Sequence, residues 1–374
     1  MKNIKFRFFM PVEILMADEG QLDLSDEIGG DSAVIVTDPF LYESGQALTL
    51  GKSITAARVN YFHHIEPNPS TDTVDACKAA IEAAGASAVI GFGGGSCLDT
   101  AKAAACMAGS DKRFVECLEG GKEIPDRRLR LILIPTTAGT GSEVTNVGVY
   151  TSSETGAKIP LVRPDFYGDM AVLYPEATYT MPPAVTANTG MDAFCHAIEA
   201  YWNKNSQPFC DACALEALKL IKDNLLTAYY TGEDKEARKN MCIASLLAGA
   251  AFSQTRTTGP HALSYPLTAN YHVAHGVGCA LSLPAFIRLS TQKEETKMVR
   301  LAKELGYESV NSLADGVEEL LGNLHMPTRL RDIGAEEKDL KGIAKEAMNY
   351  YPQLALTPAV ITEESLLCLL QSIY

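Results

Sequence analysis

Short apolar runs alternate with amphipathic helical patterns in the first half of the chain. Residues 33–36 (AVIV), 88–91 (AVIG) and 131–134 (LILI) have the composition of strands that are buried on both faces. Residues 72–84 follow helical spacing and end at Gly85, a residue that commonly terminates helices. Because strands and helices alternate, the pattern predicts a parallel sheet with helices on both faces.

The pattern changes near residue 180, after two proline-containing segments. Apolar positions then follow helical spacing in residues 211–230, 235–252, 291–305 and 337–350, and no stretch has a convincing strand pattern. We therefore predict two domains, an α/β domain over residues 1–180 and an all-helical domain over residues 181–374.

Composition and charge narrow the class of protein. A chain of 374 residues with 47% hydrophobic and 21% charged residues is typical of a globular enzyme. The net charge of −14 opposes binding to nucleic acid or to an anionic membrane surface. The longest apolar run, residues 243–252, falls short of the roughly 20 residues that a membrane span needs. The ten cysteines are spread over a large chain, which favours free thiols and a reducing cytoplasm.

A glycine run lies between the predicted strand at residues 88–91 and the helical pattern that follows it. Gly94, Gly95 and Ser96 end this run. Glycines at such a turn permit close approach of a pyrophosphate, and the helix N-terminus offers free N–H groups. A tight turn from strand to helix also needs glycine, so the run alone leaves both interpretations open.

Candidate metal ligands are concentrated in the second half of the chain. Asp192 and His196 are four residues apart and are predicted to project from one helical face. Four of the seven histidines (His196, His261, His272 and His275) lie within one stretch of ninety residues. One carboxylate with three imidazoles suits a divalent ion such as Fe²⁺ or Zn²⁺.

These motifs together resemble the iron-containing (group III) alcohol dehydrogenases. The resemblance rests on residues 93–96 (GGGS), 135–143 (PTTAGTGSE), 190–199 (GMDAFCHAIE), 260–262 (PHA) and 275–276 (HG), and it covers nearly the whole chain. It implies a fold similar to dehydroquinate synthase, with a dinucleotide-binding α/β domain and a helical metal-binding domain. It also implies hydride transfer between a nicotinamide and a small alcohol or aldehyde, in a homo-oligomer of two or more chains.

The resemblance assigns further residues to ligands. Asp192, His196, His261 and His275 would hold Fe²⁺ or Zn²⁺. The residues implied to line the dinucleotide site are Asp38, Asn68, Gly94, Gly95, Ser96, Thr136, Thr137, Thr140 and Lys158. Asp38 matches the acidic residue that accepts hydrogen bonds from an adenine ribose, and its charge would repel a 2′-phosphate, which favours NAD over NADP. The other interpretation of Asp38 is a turn residue ahead of Pro39.

The chain departs from the family pattern at positions that bear on catalysis. Tyr265 stands where many members have a histidine near the nicotinamide. His272 matches a second frequent histidine, and we interpret it either as a proton relay or as a loop residue without a role. Residues 255–268 are similar to a branch that includes phosphonoacetaldehyde reductases. Arg256, with Thr257 and Thr258, is therefore a candidate for binding an anionic tail, or else for pairing with a surface carboxylate.

Two other classes of function compete with an oxidoreductase. Dehydroquinate synthases share the implied fold and use NAD with zinc, so a lyase or cyclase is the first alternative. The second is a binding protein that has kept the fold without its activity. The complete sets of metal and cofactor residues favour the oxidoreductase.

Overall fold

The computed structural model describes residues 6–17, 20, 22–55 and 57–374. It divides into two compact units. The α/β unit comprises Met10–Thr137 and Gly141–Thr180. The helical unit comprises Met181–Tyr374 together with Ala138–Thr140 and the N-terminal segment up to Phe9, two short pieces that a single boundary at residue 180 does not capture.

The α/β unit contains a six-stranded sheet in which every paired strand is parallel. The strands are β1 (Glu13–Met16), β2 (Ser32–Val36), β3 (Arg58–Phe62), β4 (Ala88–Gly93), β5 (Arg130–Pro135) and β8 (Met170–Leu173), in the spatial order β1-β8-β5-β4-β2-β3. The helices are α1 (Pro39–Glu43), α2 (Gln46–Ser53), α3 (Thr71–Ala84), α4 (Gly95–Met107) and α5 (Phe114–Leu118). The predicted parallel sheet is thereby confirmed.

Alternate residues of the central strands enter separate cores on the two faces of the sheet. Val34, Val89 and Leu131 lie in the core that includes residues of α3 and α4. Ile35 and Ile90 belong to the core on the other face. Because both faces are buried, these strands have no polar alternation, which is why their apolar runs were visible in the sequence. A separate antiparallel hairpin of β6 (Val147–Thr151) and β7 (Lys158–Val162) was not predicted.

The helical unit is organised around α6. Its helices are α6 (Pro183–Trp202), α7 (Pro208–Tyr230), α8 (Lys235–Thr255), α9 (Gly259–Tyr271), α10 (His275–Glu304), α11 (Val310–Asn323), α12 (Leu340–Ala347), α13 (Tyr351–Leu354) and α14 (Glu363–Ser372). Helix α6 contacts α7, α8, α9 and α10, so most of its side chains are buried. No helix within the described residues combines the length and apolar character that a membrane crossing requires.

The first turn of α10 approaches the backbone of α6 closely. A Cβ atom placed on Gly276 would lie 2.0 Å from the carbonyl oxygen of Asn188. The backbone N–H of Val277 donates to Oδ1 of the same asparagine at 3.2 Å. Only a glycine permits this approach, and the residue before it, His275, is positioned by the same contact.

We predict that Gly276→Ala destabilises the helical unit by about 1–3 kcal/mol, because the added methyl group forces α10 away from α6. Thermal unfolding measures the effect. Gly322→Ala is the matched control, since a Cβ atom at Gly322 in α11 meets open space and alanine is the better helix former. Equal unfolding temperatures for the two variants would contradict the predicted constraint.

Candidate metal centre and dinucleotide site

Helix α6 presents three polar side chains on one buried face. Asp192, His196 and Glu199 are spaced at i, i+4 and i+7, so they lie along the same stripe of the helix. All three are at most 6% exposed. His261 lies in the first turn of α9 and is also buried, whereas His275 opens α10 with a side chain that is 44% exposed.

The four predicted metal ligands lie together in the helical unit. Oδ1 of Asp192 is 3.6 Å from Nε2 of His261 and 3.8 Å from Nε2 of His275. The Nε2 atoms of His196 and His261 are 3.0 Å apart. Oδ1 of Asp192 is buried and has no hydrogen-bond partner. An acceptor buried in this way is costly unless a cation or a donor satisfies it.

The partners of the two imidazoles define their tautomers. Nδ1 of His196 lies 3.3 Å from the carbonyl oxygen of Gly139, to which it must donate. Nδ1 of His261 donates to the carboxylate of Glu199. Each Nε2 therefore carries a lone pair when its ring is neutral, whereas protonated His261 donates from its Nε2 to the Nε2 of neutral His196. Two such nitrogens with an unpartnered carboxylate oxygen fit a divalent cation such as Fe²⁺ or Zn²⁺.

Glu199 fixes the orientation of His261. Its Oε2 accepts hydrogen bonds from the backbone N–H of Thr258 at 2.5 Å and from the Thr258 hydroxyl at 2.8 Å. The indole N–H of Trp202 in turn donates to that hydroxyl at 2.9 Å. A carboxylate behind a metal-binding imidazole sets its tautomer and increases its basicity. Glu199 was not predicted as a site residue, although its spacing from His196 placed it on the same face.

The network around Glu199 changes the interpretation of Thr258. We expected Thr258, with Arg256 and Thr257, to bind an anionic tail. Instead, both its backbone N–H and its hydroxyl are engaged by Glu199, and the residue is fully buried. Its contribution is therefore to hold the carboxylate that orients His261.

The proton affinities of the cluster depend on burial and on mutual charge. Burial lowers the pKa of His196 to about 4, which keeps this ring neutral over the physiological range. Burial also acts to lower the pKa of His261, but Cys279 and Glu199 outweigh it and hold that pKa well above its ordinary value. Burial opposes ionisation of Asp192, yet the surrounding histidines bring the pKa of its carboxyl below the usual range.

Cys279 is a fifth member of the cluster that sequence reasoning missed. It lies one turn after His275 on α10, and its Sγ is 3.7 Å from Nε2 of that histidine. The donor atoms of Asp192, His261, His275 and Cys279 all lie within 4.8 Å of one another. The i, i+4 spacing from His275 was the signal in the sequence that pointed to it.

The three remaining residues predicted to act on substrate are placed around α9. The Tyr265 hydroxyl accepts a 3.4 Å hydrogen bond from Gln353, its ring stacks on Tyr350, and burial raises its pKa. His272 caps the end of α9 with a φ of 55° and is exposed, and Arg256 follows α8 with a φ of 77° and is exposed. Neither of these two side chains forms a hydrogen bond or ion pair with any described residue.

The predicted dinucleotide residues of the α/β unit gather at one edge of the sheet. Asp38 follows β2, residues 94–96 follow β4, and Thr136 with Thr137 follows β5. Because these three strands are neighbours and parallel, their carboxyl ends meet at the same edge, where such sheets bind ligands. Gly94 is the N-cap of α4 without a side-chain cap, which leaves the first N–H groups of that helix available to an anion.

The other predicted dinucleotide residues have separate environments. Asn68 adopts a φ of 57°, and its backbone N–H donates to the Ser96 hydroxyl at 3.1 Å, which joins its loop to the glycine run. Lys158 opens β7, and burial lowers the pKa of its ammonium group. Thr140 belongs to the short segment that groups with the helical unit.

Asp38 makes a structural hydrogen bond with one of its two carboxylate oxygens. Its Oδ1 accepts from the backbone N–H of Leu41 at 2.9 Å and caps α1. Its Oδ2 lies 3.9 Å from the thiol of Cys97. Oδ1 of Asp38 therefore has the role of a turn residue, whereas Oδ2 has only this weak contact with the Cys97 thiol.

Comparison with known proteins gives two matching family models and close relatives. The model described as "Iron-containing alcohol dehydrogenase" matches residues 13–175, and "Fe-containing alcohol dehydrogenase family, C-terminal" matches residues 186–374. Sulfoacetaldehyde reductase of Bilophila wadsworthia is 35% identical over 355 residues, which cover 92% of each chain. Long-chain-alcohol dehydrogenase 1 of Geobacillus thermodenitrificans is 34% identical, over 90% of this chain and 88% of that one.

A solved structure is similar over nearly the full length. The crystal structure of sulfoacetaldehyde reductase from Bifidobacterium kashiwanohense in complex with NAD⁺ has a TM-score of 0.94 and 35% sequence identity, and the match covers 99% of both chains.

We predict that Glu199→Gln weakens binding of Zn²⁺ by about 10–100-fold at neutral pH, because the amide no longer enforces the His261 tautomer. Glu199 raises the pKa of His261, and protons compete with metal for its Nε2. Loss of the carboxylate should therefore also move the acidic loss of metal binding to lower pH. Zinc titration with a competing chelator across a pH series measures both changes. An unchanged pH profile with weaker binding would argue that Glu199 acts only through packing.

Proposed function

The chain belongs to the iron-containing alcohol dehydrogenase family, and on that premise we propose that it reduces a small aldehyde with an anionic tail, using NADH and a divalent ion. Asp192, His196, His261 and His275 would hold that ion. The observation that carries the proposal is the pair of imidazole Nε2 atoms, 3.0 Å apart, beside the buried and unpartnered Oδ1 of Asp192. The named relatives are oxidoreductases and give no support to the lyase or cyclase alternative.

The proposed reaction balances with one hydride and one proton. Bound NADH would supply the hydride to the carbonyl carbon, and the carbonyl oxygen would take up one proton, which would yield the alcohol and NAD⁺. A bound divalent ion supplies Lewis-acid polarisation of the carbonyl group. Glu199 keeps His261 in the tautomer that binds this ion.

Proton supply is assigned to two residues on α9. The Tyr265 hydroxyl, held by Gln353, stands at the position where many family members have a histidine. We infer that it hydrogen-bonds the substrate oxygen and that the exposed His272 exchanges the proton with solvent.

NADH is proposed as the hydride donor rather than NADPH. The glycine run at the N-terminus of α4 suits a pyrophosphate, and the carboxylate of Asp38 suits a ribose hydroxyl. The similar sulfoacetaldehyde reductase structure contains NAD⁺, which supports the same cofactor here.

Two relatives that share 35% of their residues with this chain are named sulfoacetaldehyde reductase, an activity whose substrate carries a sulfonate. Arg256 offers an exposed guanidinium without an ion-pair partner among the described residues. Such a group binds a sulfonate or phosphonate through charge-assisted hydrogen bonds. A similar relative named for long-chain alcohols makes a neutral substrate the competing candidate.

We further propose that two copies associate through β1 in the cytoplasm. Strand β1 lies at the edge of the sheet, and Ile14, Leu15 and Met16 are each about 40% exposed. An edge strand with apolar side chains is a template for pairing with another strand. None of the ten cysteines, all of which lie within the described residues, forms a disulfide, which supports a reducing compartment.

We predict that Arg256→Ala raises the KM for sulfoacetaldehyde and phosphonoacetaldehyde about 10–100-fold, the value of a lost charge-assisted hydrogen bond, and leaves that for butyraldehyde unchanged. Anaerobic assays of NADH oxidation with metal-loaded protein measure these constants. Arg128→Ala is the control, because Arg128 is an exposed arginine of the α/β unit. Equal effects on the KM values of charged and neutral aldehydes would contradict the proposed anionic tail of the substrate. Absence of turnover with every aldehyde would contradict the proposed reaction.

We predict that the double variant Ile14→Lys/Met16→Lys converts the dimer to single chains, because lysines on an edge strand oppose pairing. Light scattering coupled to size-exclusion chromatography measures the mass. Val360→Lys places the same charge at a side chain that is 58% exposed outside the sheet and should leave the mass unchanged. A dimer that persists in the double variant would show that β1 is not the interface.

A further inference from the structure

The sulfur of Cys279 lies among the predicted metal ligands. We propose that Cys279 binds the divalent ion directly and gives the site a preference for zinc or cobalt over Fe²⁺. The inference rests on the proposed function, since it concerns the same ion. It adds a donor to the set of one carboxylate and three imidazoles that the family resemblance implies.

The separations within the cluster fit direct binding. Tetrahedral zinc with Zn–N and Zn–O distances of about 2.0–2.1 Å and a Zn–S distance of about 2.3 Å places its donors about 3.3–3.7 Å apart. Sγ of Cys279 is 3.7 Å from Nε2 of His275. Oδ1 of Asp192 is 3.6 Å from His261 Nε2 and 3.8 Å from His275 Nε2. These three separations are close to those of a tetrahedral set, and all four donor atoms lie within 4.8 Å of one another.

His196 has a different relation to the cluster. Its Nε2 is 3.0 Å from Nε2 of His261, closer than two donors of a tetrahedral ion but suitable for a site with more ligands. Its ring is also held by stacking on Phe252, with centroids 4.1 Å apart. The arrangement thus contains five donors, of which Cys279 completes the tetrahedral subset and His196 adds the fifth.

The position of Cys279 is not explained by packing alone. Cys279 is fully buried, and its thiol contacts the imidazole of His275. Within the described residues, it is the only cysteine that shares a cluster with candidate metal ligands. The neighbouring Oδ1 of Asp192, 4% exposed as a residue and without a partner, independently indicates that a cation belongs there.

A sulfur ligand would change which divalent ion the site prefers. Thiolates favour softer ions such as Zn²⁺, whereas oxygen donors favour harder ones. A site of one carboxylate and three imidazoles accepts either Fe²⁺ or Zn²⁺. The sulfur is therefore the group that would make the site bind one of these ions more tightly than the other. Cys279 is therefore proposed as the residue that determines metal preference in this chain.

The test uses the full chain after removal of metal with a chelator. Cobalt-loaded protein should show thiolate-to-cobalt charge-transfer absorption in the near ultraviolet, and Cys279→Ser should abolish it while the visible d–d bands remain. Cys195→Ser is the matched control, because Cys195 is a buried cysteine between two ligands of α6 and should leave the absorption intact. Anaerobic competition between Zn²⁺ and Fe²⁺ should lose about tenfold or more of its zinc preference in Cys279→Ser.

A second measurement keeps the inference testable if the serine variant fails to fold. X-ray absorption of the zinc-loaded wild-type protein should contain one sulfur at about 2.3 Å. Cobalt d–d bands without the charge-transfer absorption, or an absorption that survives in Cys279→Ser or is lost in Cys195→Ser, would overturn the inference and leave the proposed metal site intact. Failure of the wild-type protein to bind any divalent ion would overturn both.

Discussion

The polar centre of the helical unit is a buried cluster of imidazole and carboxylate groups that suits a divalent cation. The Nε2 atoms of His196 and His261 face each other at 3.0 Å beside the buried Oδ1 of Asp192. Oδ1 of Asp192 is an acceptor without a donor, and a buried acceptor of this kind costs free energy on the order of 1–3 kcal/mol. A divalent ion would take the place of the proton between the two imidazoles and would satisfy this oxygen, so metal binding and folding of this unit would be thermodynamically coupled. The packing of α6 against α9 and α10 is what holds the acceptors together before the ion arrives.

The two imidazoles of the cluster are each held in place by further residues that contact their Nδ1 atoms or their rings. His261 presents Nε2 to the cluster only while its Nδ1 donates to Glu199. The hydroxyl of Thr258 donates to Glu199, and the indole N–H of Trp202 donates to that hydroxyl. His196 is fixed in a similar way by the carbonyl of Gly139 and by stacking on Phe252. Each ring therefore has one nitrogen committed to the protein and the other free, which is the condition for binding a metal.

Helical spacing made part of this site predictable from the sequence. Asp192 and His196 were recognisable because residues four apart share a helical face, and the same rule reaches Glu199 and Cys279. The role of Thr258 was not predictable, because its partner Glu199 is 59 residues away in sequence and only tertiary packing joins them. Arg256 and Thr258 are close in sequence, yet one is exposed and the other is fully buried.

The fold was predicted where burial leaves a simple pattern. Strands β2, β4 and β5 are apolar runs because both of their faces are covered, whereas the four residues of β1 are exposed at the sheet edge. Helix α10 was predicted to begin at residue 291 but begins at His275. Pro284 and nearby glycines resemble a helix end in the sequence, but the helix continues through the proline. His275 and Cys279 both lie in the part of this helix that precedes the proline.

Asp38 is a turn residue in the structure, and its geometry is also compatible with the proposed contact to a ribose. Its Oδ1 caps α1, so the carboxylate is held at the end of β2 and cannot rotate away. Its Oδ2 keeps only a distant contact with Cys97, which leaves an acceptor for a ribose hydroxyl. Because the cap fixes the negative charge in place, a 2′-phosphate near it would meet a charge that cannot move aside. The proposed preference for NAD therefore rests on the helix cap as much as on the presence of an acidic residue.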